Sequence, residues 1–233
     1  MSDTTVIKPR RPFRGLLRRR ECLLPTWRGW LLLLLAGLLL VTFAVRNAQS
    51  FLAVNDPVAG NVMVIEGWAP DYALEQVIAE FRQHHYTRLY VVGVPLEKGA
   101  PLSEYKTYAE LGAATLLKLG MDPASVQVVP APPVRQDRTY ASALVLKQWL
   151  QQHNAMPAEF NLISVGPHAR RSRLLFEKAF GPEVRVGVIA LENQDYDPQH
   201  WWKSSQGFRT VTDEIIAYAY ARLLFHPGKP EPR

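Results

Sequence analysis

The stretch Ser164-Val-Gly-Pro-His168-Ala-Arg170-Arg171-Ser-Arg173 lies where a β-strand ends and a helix begins. Residues 161–165 form a largely apolar, β-prone run, which predicts the strand. After the Gly-Pro turn, apolar residues recur at helical spacing, at Leu174, Leu175, Phe176 and Ala179. The stretch therefore predicts a strand, a tight turn and the first turn of a helix.

Side chains that carry or can acquire a positive charge crowd the start of this helix. They are His168, Arg170, Arg171 and Arg173. A helix N-terminus already carries partial positive charge, so further cations are unfavourable there unless a site needs them, and together they suit a phosphate or carboxylate. We expect Arg170 and Arg171 to bind such an anion beside Ser164. The alternative is that Arg170 and Arg173 simply face water and that His168 caps the helix.

The order of strand and helix recurs five times between residues 61 and 225. Apolar runs at residues 61–65, 88–92, 126–129, 161–165 and 185–189 alternate with helical patterns that begin near Asp71, Ser103, Asp137, His168 and Thr210. Continuous apolar strands that alternate with helices are typical of a parallel sheet covered on both faces. The sequence therefore predicts an α/β fold with a doubly wound, mostly parallel, five-stranded and Rossmann-like sheet.

Ligands of such sheets bind beyond the carboxyl ends of the strands. Glu66 and Gly67 follow the first predicted strand, and Gly93 follows the second. We expect both glycines to lie at the ligand site. Glu66 is a candidate catalytic carboxylate, with a surface carboxylate at a strand end as the alternative.

A second group of cations is predicted at the same edge. Arg135 and Arg138 flank Asp137 at the start of the helix after the third strand. Together with Arg171 they are candidates for holding a phosphate, a pyrophosphate or a carboxylate. His168 is the natural candidate for a general acid or base at neutral pH.

The segment 192–206 is longer than most connections and contains Trp201-Trp202. Long connections often form lids or binding loops. The two tryptophans suit stacking on a sugar or a base, or contact with a membrane surface. Packing on the domain's own core is the alternative.

Established catalytic motifs find little support. Ser103-Glu-Tyr-Lys106 matches the Ser-x-x-Lys of penicillin-binding proteins, but neither Lys-Thr-Gly nor Ser-Asp-Asn follows, and Ser103 is explained as a helix cap. Gly-x-Ser-x-Gly, Walker A and Gly-x-Gly-x-x-Gly motifs are absent from the sequence. The six histidines lack zinc spacing, so we predict no metal site, with Asp195, Asp197 and His200 as the alternative. The cofactor stays unknown.

The net charge of +6 is concentrated near the N-terminus. The residues before Val45 include eight Lys or Arg and only Asp3 and Glu21 as acids, which accounts for the whole excess. The remaining chain is therefore neutral. A nucleic-acid-binding domain is expected to be basic, so we predict no nucleic-acid partner.

An uncharged, leucine-rich run follows the basic tail and ends at Val45. Its length predicts a membrane-spanning helix over 27–45, with Trp27 and Trp30 in the headgroup region. The positive-inside rule then places the tail 1–26, with the lone Cys22, in the cytoplasm. A cleaved signal peptide is the alternative, although Arg46 fits position −3 of a cleavage site badly.

The rest of the chain is predicted to lie on the other side of the plasma (inner) membrane, in the periplasm. A short connector over 46–60 leads to an α/β domain over 61–225, and the proline-rich tail 226–233 predicts disorder. The short connector keeps the ligand site near the membrane surface, which suits a lipid-linked substrate.

Three segments resemble the ElyC/SanA/YdcF family. Ser164 to Arg171 is similar to its Thr-Ser-x-x-His-x-x-Arg segment, Asp137-Arg-Thr139-Tyr-Ala-Ser-Ala143 to its Asn-Thr-x-Glu-Asn-Ala segment, and Ser103-Glu104 to its Ser-Glu. The resemblance extends over about residues 61–224. This chain has Ala141 and Ser142 in place of the family's Glu and Asn, and Glu66-Gly67-Trp68 in place of a Gly-Gly turn.

The resemblance implies a Rossmann-like fold and, for membrane-anchored members, a role in envelope integrity connected with peptidoglycan and its lipid carrier. It also implies ligand-binding roles for Thr139, Ser103 and Glu104, beside His168 and Arg171. One soluble relative is linked to S-adenosylmethionine. We therefore expect an anionic envelope precursor as ligand, and the alternatives are a non-catalytic sensing or scaffold module and a nucleotide or S-adenosylmethionine binder.

Overall fold

The computed structural model describes residues 25–227. The predicted basic tail, with Cys22, and the predicted C-terminal tail lie almost entirely outside the described residues. The helices are α1 (Trp27–Leu52), α2 (Asp71–Gln83), α3 (Tyr108–Lys118), α4 (Arg138–Gln152), α5 (His168–Phe180) and α6 (Ser205–Leu223). The strands are β1 (Val62–Glu66), β2 (Arg88–Gly93), β3 (Val126–Pro130), β4 (Glu159–Val165) and β5 (Arg185–Leu191).

The five strands form one parallel sheet in the order β3-β2-β1-β4-β5. The prediction of a Rossmann-like α/β domain is confirmed. β1 lies at the centre and pairs with β2 on one side and with β4 on the other. Because the strand order reverses between β1 and β4, the crevice beyond these two strand ends is where a ligand is expected.

The sheet is buried on both faces, as continuous apolar strands require. One core contains Met63, Ile65 and Leu89 under α2 and α3. The other contains Phe160 and Phe176 under α4 and α5. Helix α6 packs along α5.

Helix α3 begins at Tyr108, so the predicted start at Ser103 is wrong. Thr107 caps the helix: its hydroxyl accepts a hydrogen bond from the amide of Glu110, whose carboxylate in turn accepts one from the amide of Thr107. This reciprocal capping box satisfies two otherwise unpaired amides. Ser103 instead accepts a local bond from the Tyr105 amide, 3.1 Å long.

The start of α4 agrees with the sequence pattern, but the capping of α4 and the start of α6 differ from it. Asp137 precedes α4 in a left-handed conformation, with φ of 55°, and makes no side-chain cap. Helix α6 begins at Ser205, whose predecessor Ser204 caps it, and a short 3-10 helix, Pro198–Lys203, occupies much of the segment predicted as a loop. Trp201 is buried there with Leu52 and Val211, so this tryptophan packs on the domain's own core.

Helix α1 is long and apolar enough to span a membrane. Its leucines are exposed, which distinguishes it from the core helix of a water-soluble domain. The helix continues past Val45 to Leu52, so the first part of the predicted connector is helical. The residues from Phe43 onward belong to the same compact unit as the sheet.

Candidate functional site

A cavity of about 630 Å³ opens at the carboxyl edge of the sheet. Its walls come from the ends of β1, β2 and β4, the first turns of α4 and α5, and the inner side of α6. These strand ends and helix starts converge because the sheet is parallel, which places every carboxyl end on one side. The cavity therefore occupies the place at which the fold predicts a ligand.

His168, Arg171 and Glu214 form an ion cluster in the wall of this cavity. The Nδ1 of His168 lies 2.8 Å from Oε1 of Glu214. Arg171 donates from Nε to Oε2 of Glu214 at 2.8 Å and from Nη2 to Oε1 at 3.0 Å. The bidentate pair fixes the guanidinium plane, and the bond to Nδ1 fixes the imidazole.

Glu66 lies on the other side of His168. Its carboxylate is buried, accepts a hydrogen bond of 3.0 Å from the Ser172 hydroxyl, and lies 3.5 Å from Nε2 of His168. His168 therefore lies between two carboxylates, one toward each ring nitrogen. Ser172 comes from the second turn of α5, whose first turn carries His168.

The cluster favours the charged form of each of its members. Burial lowers the pKa of His168, but hydrogen bonds to Glu214 and Glu66 outweigh burial and hold this pKa above its ordinary 6.5. Burial raises the pKa of Glu214, but Arg171 and His168 outweigh it and bring the pKa down to about 2. Burial likewise raises the pKa of Glu66, and His168, Arg171 and the Thr139 hydroxyl bring it below 4.5. The cluster thus pairs two carboxylates, Glu66 and Glu214, with Arg171 and with a histidine whose protonated form is favoured.

These shifts predict that the cluster stabilises the fold most between about pH 4.5 and 6.5. The stabilisation by Glu214 is complete above its ordinary pKa of 4.5 and is lost as the pH falls toward 2. The stabilisation by His168 is complete below 6.5 and is lost as the pH rises through its raised folded pKa. In urea titrations of the full chain in detergent, we expect the unfolding free energy to fall by about 3 kcal/mol between pH 4.5 and 2. An unfolding free energy that stays constant between pH 4.5 and 2 would contradict this prediction.

The structure brings six of the predicted site residues to the cavity: His168, Glu66, Arg171, Arg138, Thr139 and Gly93. Arg138 is half exposed and pairs with Glu97, also exposed. Thr139 is buried in the first turn of α4. Two predicted groups of cations, one at each helix start, are therefore both represented at the same cavity.

The other predicted arginines do not line the cavity. Arg170 faces another side of α5, where its guanidinium lies 4.0 Å from the centre of the Phe51 ring and donates to the Phe51 carbonyl. Arg135 is exposed outside the cavity, as is Glu104. Residues one position apart on a helix point in different directions, which separates Arg170 from Arg171.

Three further predicted residues have structural surroundings of their own. Gly67 lies directly under the first turn of α3, where a side chain would meet the backbone of Tyr108. Ser164 is buried, and its hydroxyl has no hydrogen-bond partner among residues 25–227. Ser103 lies in the loop before α3, outside the cavity.

The sequence did not identify Glu214. It lies in the middle of α6, in a stretch whose pattern indicates only an amphipathic helix. The connection from β5 to α6 brings Glu214 to the cavity, and no local sequence motif marks this residue. Asp137 and Asp195 also line the cavity, so with Glu66 and Glu214 its four acids outnumber the three basic residues His168, Arg171 and Arg138.

Aromatic side chains line the remaining wall. The Trp68 ring meets the His168 ring edge-on, with 4.8 Å between centroids, and is itself 39% exposed.

Among residues 25–227, no group of three or more His, Cys, Asp or Glu side chains is arranged to hold a metal ion. Within the segment 192–206, His200 bonds to Asp197 at 2.7 Å.

No family model, no curated protein and no solved structure matches the chain. The resemblance of its motifs to the ElyC/SanA/YdcF family stays a prediction.

Proposed function

We propose that the chain is a membrane-anchored protein that binds an anionic, phosphorylated precursor of the cell envelope in the cavity at the carboxyl edge of its sheet. The length and exposed leucines of α1 support the anchor. The arginines before α1 support an extracytoplasmic domain. The motif resemblance supports the connection with the envelope.

One observation carries the proposal: His168, Arg171 and Arg138 line one cavity, at the starts of two helices. Backbone amides at helix starts are unpaired donors, and their partial positive charge favours an anion. Cationic side chains in the wall of the same cavity can add charge-assisted hydrogen bonds. A phosphate group fits both sets of donors.

Glu214 orients Arg171 without using all of its donors. Glu214 takes Nε and Nη2 of Arg171, while Nη1 has no hydrogen-bond partner among the residues that the structure describes. A guanidinium has five N–H donors, so Arg171, when paired with Glu214, retains the two on Nη1 for a ligand. Its fixed orientation lowers the conformational entropy lost on binding.

Beyond the ion cluster, α5, α6 and the residues just after α6 contribute an apolar wall to the cavity. It consists of Leu175, Ala217, Ala221 and Phe225. A polar region and an apolar wall in one cavity suit a ligand that carries both a phosphate and a hydrocarbon chain. This favours a lipid-linked phosphate over a free sugar phosphate.

His168 is the group that would transfer a proton if the ligand is processed. Its raised pKa favours the protonated form, so it fits the role of an acid toward a leaving group. Glu66 and Glu214 hold the ring in place from its two sides. In a purely binding protein the same charge would only attract the anion.

The second candidate is a nucleotide or S-adenosylmethionine binder, and Trp68 favours it. The indole lines the cavity and is exposed enough to stack on an adenine. However, β2 ends in Val92-Gly93 instead of the acidic residue that holds a ribose in dinucleotide-binding domains of this topology.

Binding of farnesyl phosphate to the full chain in detergent micelles tests the proposal, with farnesol, AMP and S-adenosylmethionine as competitors. Arg138→Gln is expected to weaken binding by about tenfold, because one charge-assisted hydrogen bond is lost. Arg135→Gln is the matched control outside the cavity and leaves binding unchanged. Calorimetry measures both affinities.

Equal binding of farnesyl phosphate and farnesol would contradict the anion site, and equal effects of the two arginine variants would contradict its location. Preference for AMP or S-adenosylmethionine would favour the second candidate. His168→Ala then separates enzyme from binding module: an enzyme retains affinity and loses turnover of the phosphate ester, whereas a binding module has no turnover to lose.

A further inference from the structure

Helix α6 is apolar on its outer side as well as on the side that packs on the domain. Val211 and Ala221 are buried on the inner side. The outer side exposes a row of apolar residues at helical spacing: Phe208, Ile215, Ile216, Ala219 and Leu223. Exposure reaches 62% at Ile216 and 71% at Leu223. A surface helix of a water-soluble domain is normally polar on that side, so this side calls for a partner.

The outer side of α6 is continuous with the last turns of α1. An apolar groove of about 380 Å³ runs between the two helices, lined by Ala44, Ala48 and Phe51 from α1 and by Ile215, Tyr218 and Ala219 from α6. The rings of Phe51 and Tyr218 meet edge-on, with centroids 5.7 Å apart. The exposed apolar surface thus extends from α6 onto the helix that is predicted to span the membrane.

The position of the groove along α1 indicates what covers it. The apolar run of α1 ends at Val45, and each further residue rises about 1.5 Å along the helix axis. Phe51 is therefore about 9 Å beyond the end of the run. Headgroups occupy a layer of about 5–7 Å on each side of the hydrocarbon core. Ala44 consequently lies at the hydrocarbon boundary and Ala48 within that layer, and Phe51 lies just beyond its outer limit.

Cations border the apolar row. Arg209 and Arg222 are exposed on α6 on either side of it, and Arg46 is exposed on α1 just after the apolar run. Asp213 is the one exposed acid of α6. An apolar row bordered by arginines is typical of a helix that lies in the interface of a membrane with anionic lipids.

We propose that the outer side of α6 around Ile215 and Ala219, together with Ala44 and Ala48 of α1, lies in the headgroup layer of the membrane that α1 spans, against anionic phospholipid. This inference rests on the membrane anchoring in the proposed function. Because the inner side of α6 carries Glu214 and Ala217 in the cavity wall, the docked helix holds the ligand cavity beside the lipid surface. One helix then contacts the bilayer on one side and the ligand on the other.

The test places a single fluorescent label at position 216 of the full chain in phosphatidylcholine vesicles that contain phosphatidylglycerol. Cys22→Ser removes the natural thiol, and Ile216→Cys introduces one at an exposed position, where a smaller side chain disturbs no packing. Leu102→Cys is the matched control, because Leu102 is 95% exposed on the loop before α3. An NBD label at 216 is expected to shift to the blue and to lose most of its emission when acyl chains carry a quencher near the headgroups. The label at 102 loses almost none.

Three results would overturn the inference. If the label at 216 emits as it does in water and is not quenched, the outer side of α6 does not contact the membrane. A blue-shifted label that resists the lipid quencher and cross-links to a second chain assigns this surface to self-association. Release of the chain from vesicles by alkaline carbonate shows that the anchor itself is absent. Failure of the cavity proposal is seen separately, in the farnesyl phosphate affinity, which the position of this label does not measure.

Discussion

Replacement of Gly67 by alanine is expected to destabilise the domain by about 3 kcal/mol or more. A Cβ at this position would lie 2.7 Å from the carbonyl carbon of Tyr108 and 3.1 Å from the Cα of Ala109, with the Tyr108 oxygen closer still. All three are backbone atoms, so no side-chain rotation can make room for the methyl group. Either β1 or α3 has to move.

Neither element can move without loss of other interactions. The Gly67 amide donates to the Val92 carbonyl at 2.7 Å, which ties the residue to β2. A Cβ on Gly112 of α3 would in turn lie 2.8 Å from the Cα of Gly67, so the helix and the loop approach each other at two glycines. A shift of α3 would expose Ala113 and Leu116, which are buried in the core.

Thermal unfolding of the full chain in detergent checks this prediction. A loss of about 3 kcal/mol lowers the Tm by roughly 6–12 °C in a domain of this size. Gly37→Ala is the control, because no other group lies within 4 Å of a Cβ there. If the Gly67→Ala and Gly37→Ala proteins melt within about 2 °C of each other, the close approach of α3 is wrong.

The Gly67 case shows why the sequence predicted the fold better than the role of individual residues. The five strands were predictable because each is a short apolar run followed by a turn, and buried parallel strands have that local pattern. A glycine after a strand indicates only that some group comes close. Whether that group is a ligand or, as here, the backbone of α3 depends on tertiary packing.

The prediction of where α3 begins was wrong for a different reason. Ser103 and Thr107 are both good N-cap residues, and the prediction used the first of them. Glu110, three residues after Thr107, completes a capping box, whereas the residue three after Ser103 is Lys106. The deciding signal was therefore present in the sequence.

The cationic side of the candidate site was partly predictable, and the acidic side was not. His168 and Arg171 are three residues apart, which places them on one face of α5. Glu214 lies 43 residues after Arg171 in the chain, and only the connection from β5 to α6 brings the two side chains together. Long-range pairs of this kind leave no periodic pattern in a single sequence.

Neutralising Glu214 is the second change with a large expected effect. Glu214→Gln leaves His168 and Arg171 side by side, with Nη2 of Arg171 2.8 Å from Nδ1 of His168 and no negative charge directly bonded to both. All three side chains are less than one-fifth exposed, so water screens the uncompensated charge of Arg171 poorly. Removal of one partner of a buried ion pair costs about 3–5 kcal/mol. We expect about 3 kcal/mol here, because the cluster retains some contact with solvent.

Asp213→Asn provides a matched control, since it neutralises the adjacent acid of the same helix at an exposed position. Its expected effect is within about 0.5 kcal/mol. Urea unfolding of the two variants and the wild-type chain, at the same pH, measures the difference. Removal of Glu214 also takes away the main group that raises the pKa of His168, so NMR titration of this histidine is expected to show a lower pKa in Glu214→Gln only.

The acid limb of the pH profile separates loss of charge from loss of packing. Glu214 supplies stability that disappears between pH 4.5 and about 2, so a chain without this carboxylate has less to lose in that range. The unfolding free energies of Glu214→Gln and the wild type should therefore converge as the pH falls. A constant difference from pH 7 to pH 2 would mean that glutamine disturbs packing instead of charge, and the electrostatic account of the His168, Arg171 and Glu214 cluster would then be wrong.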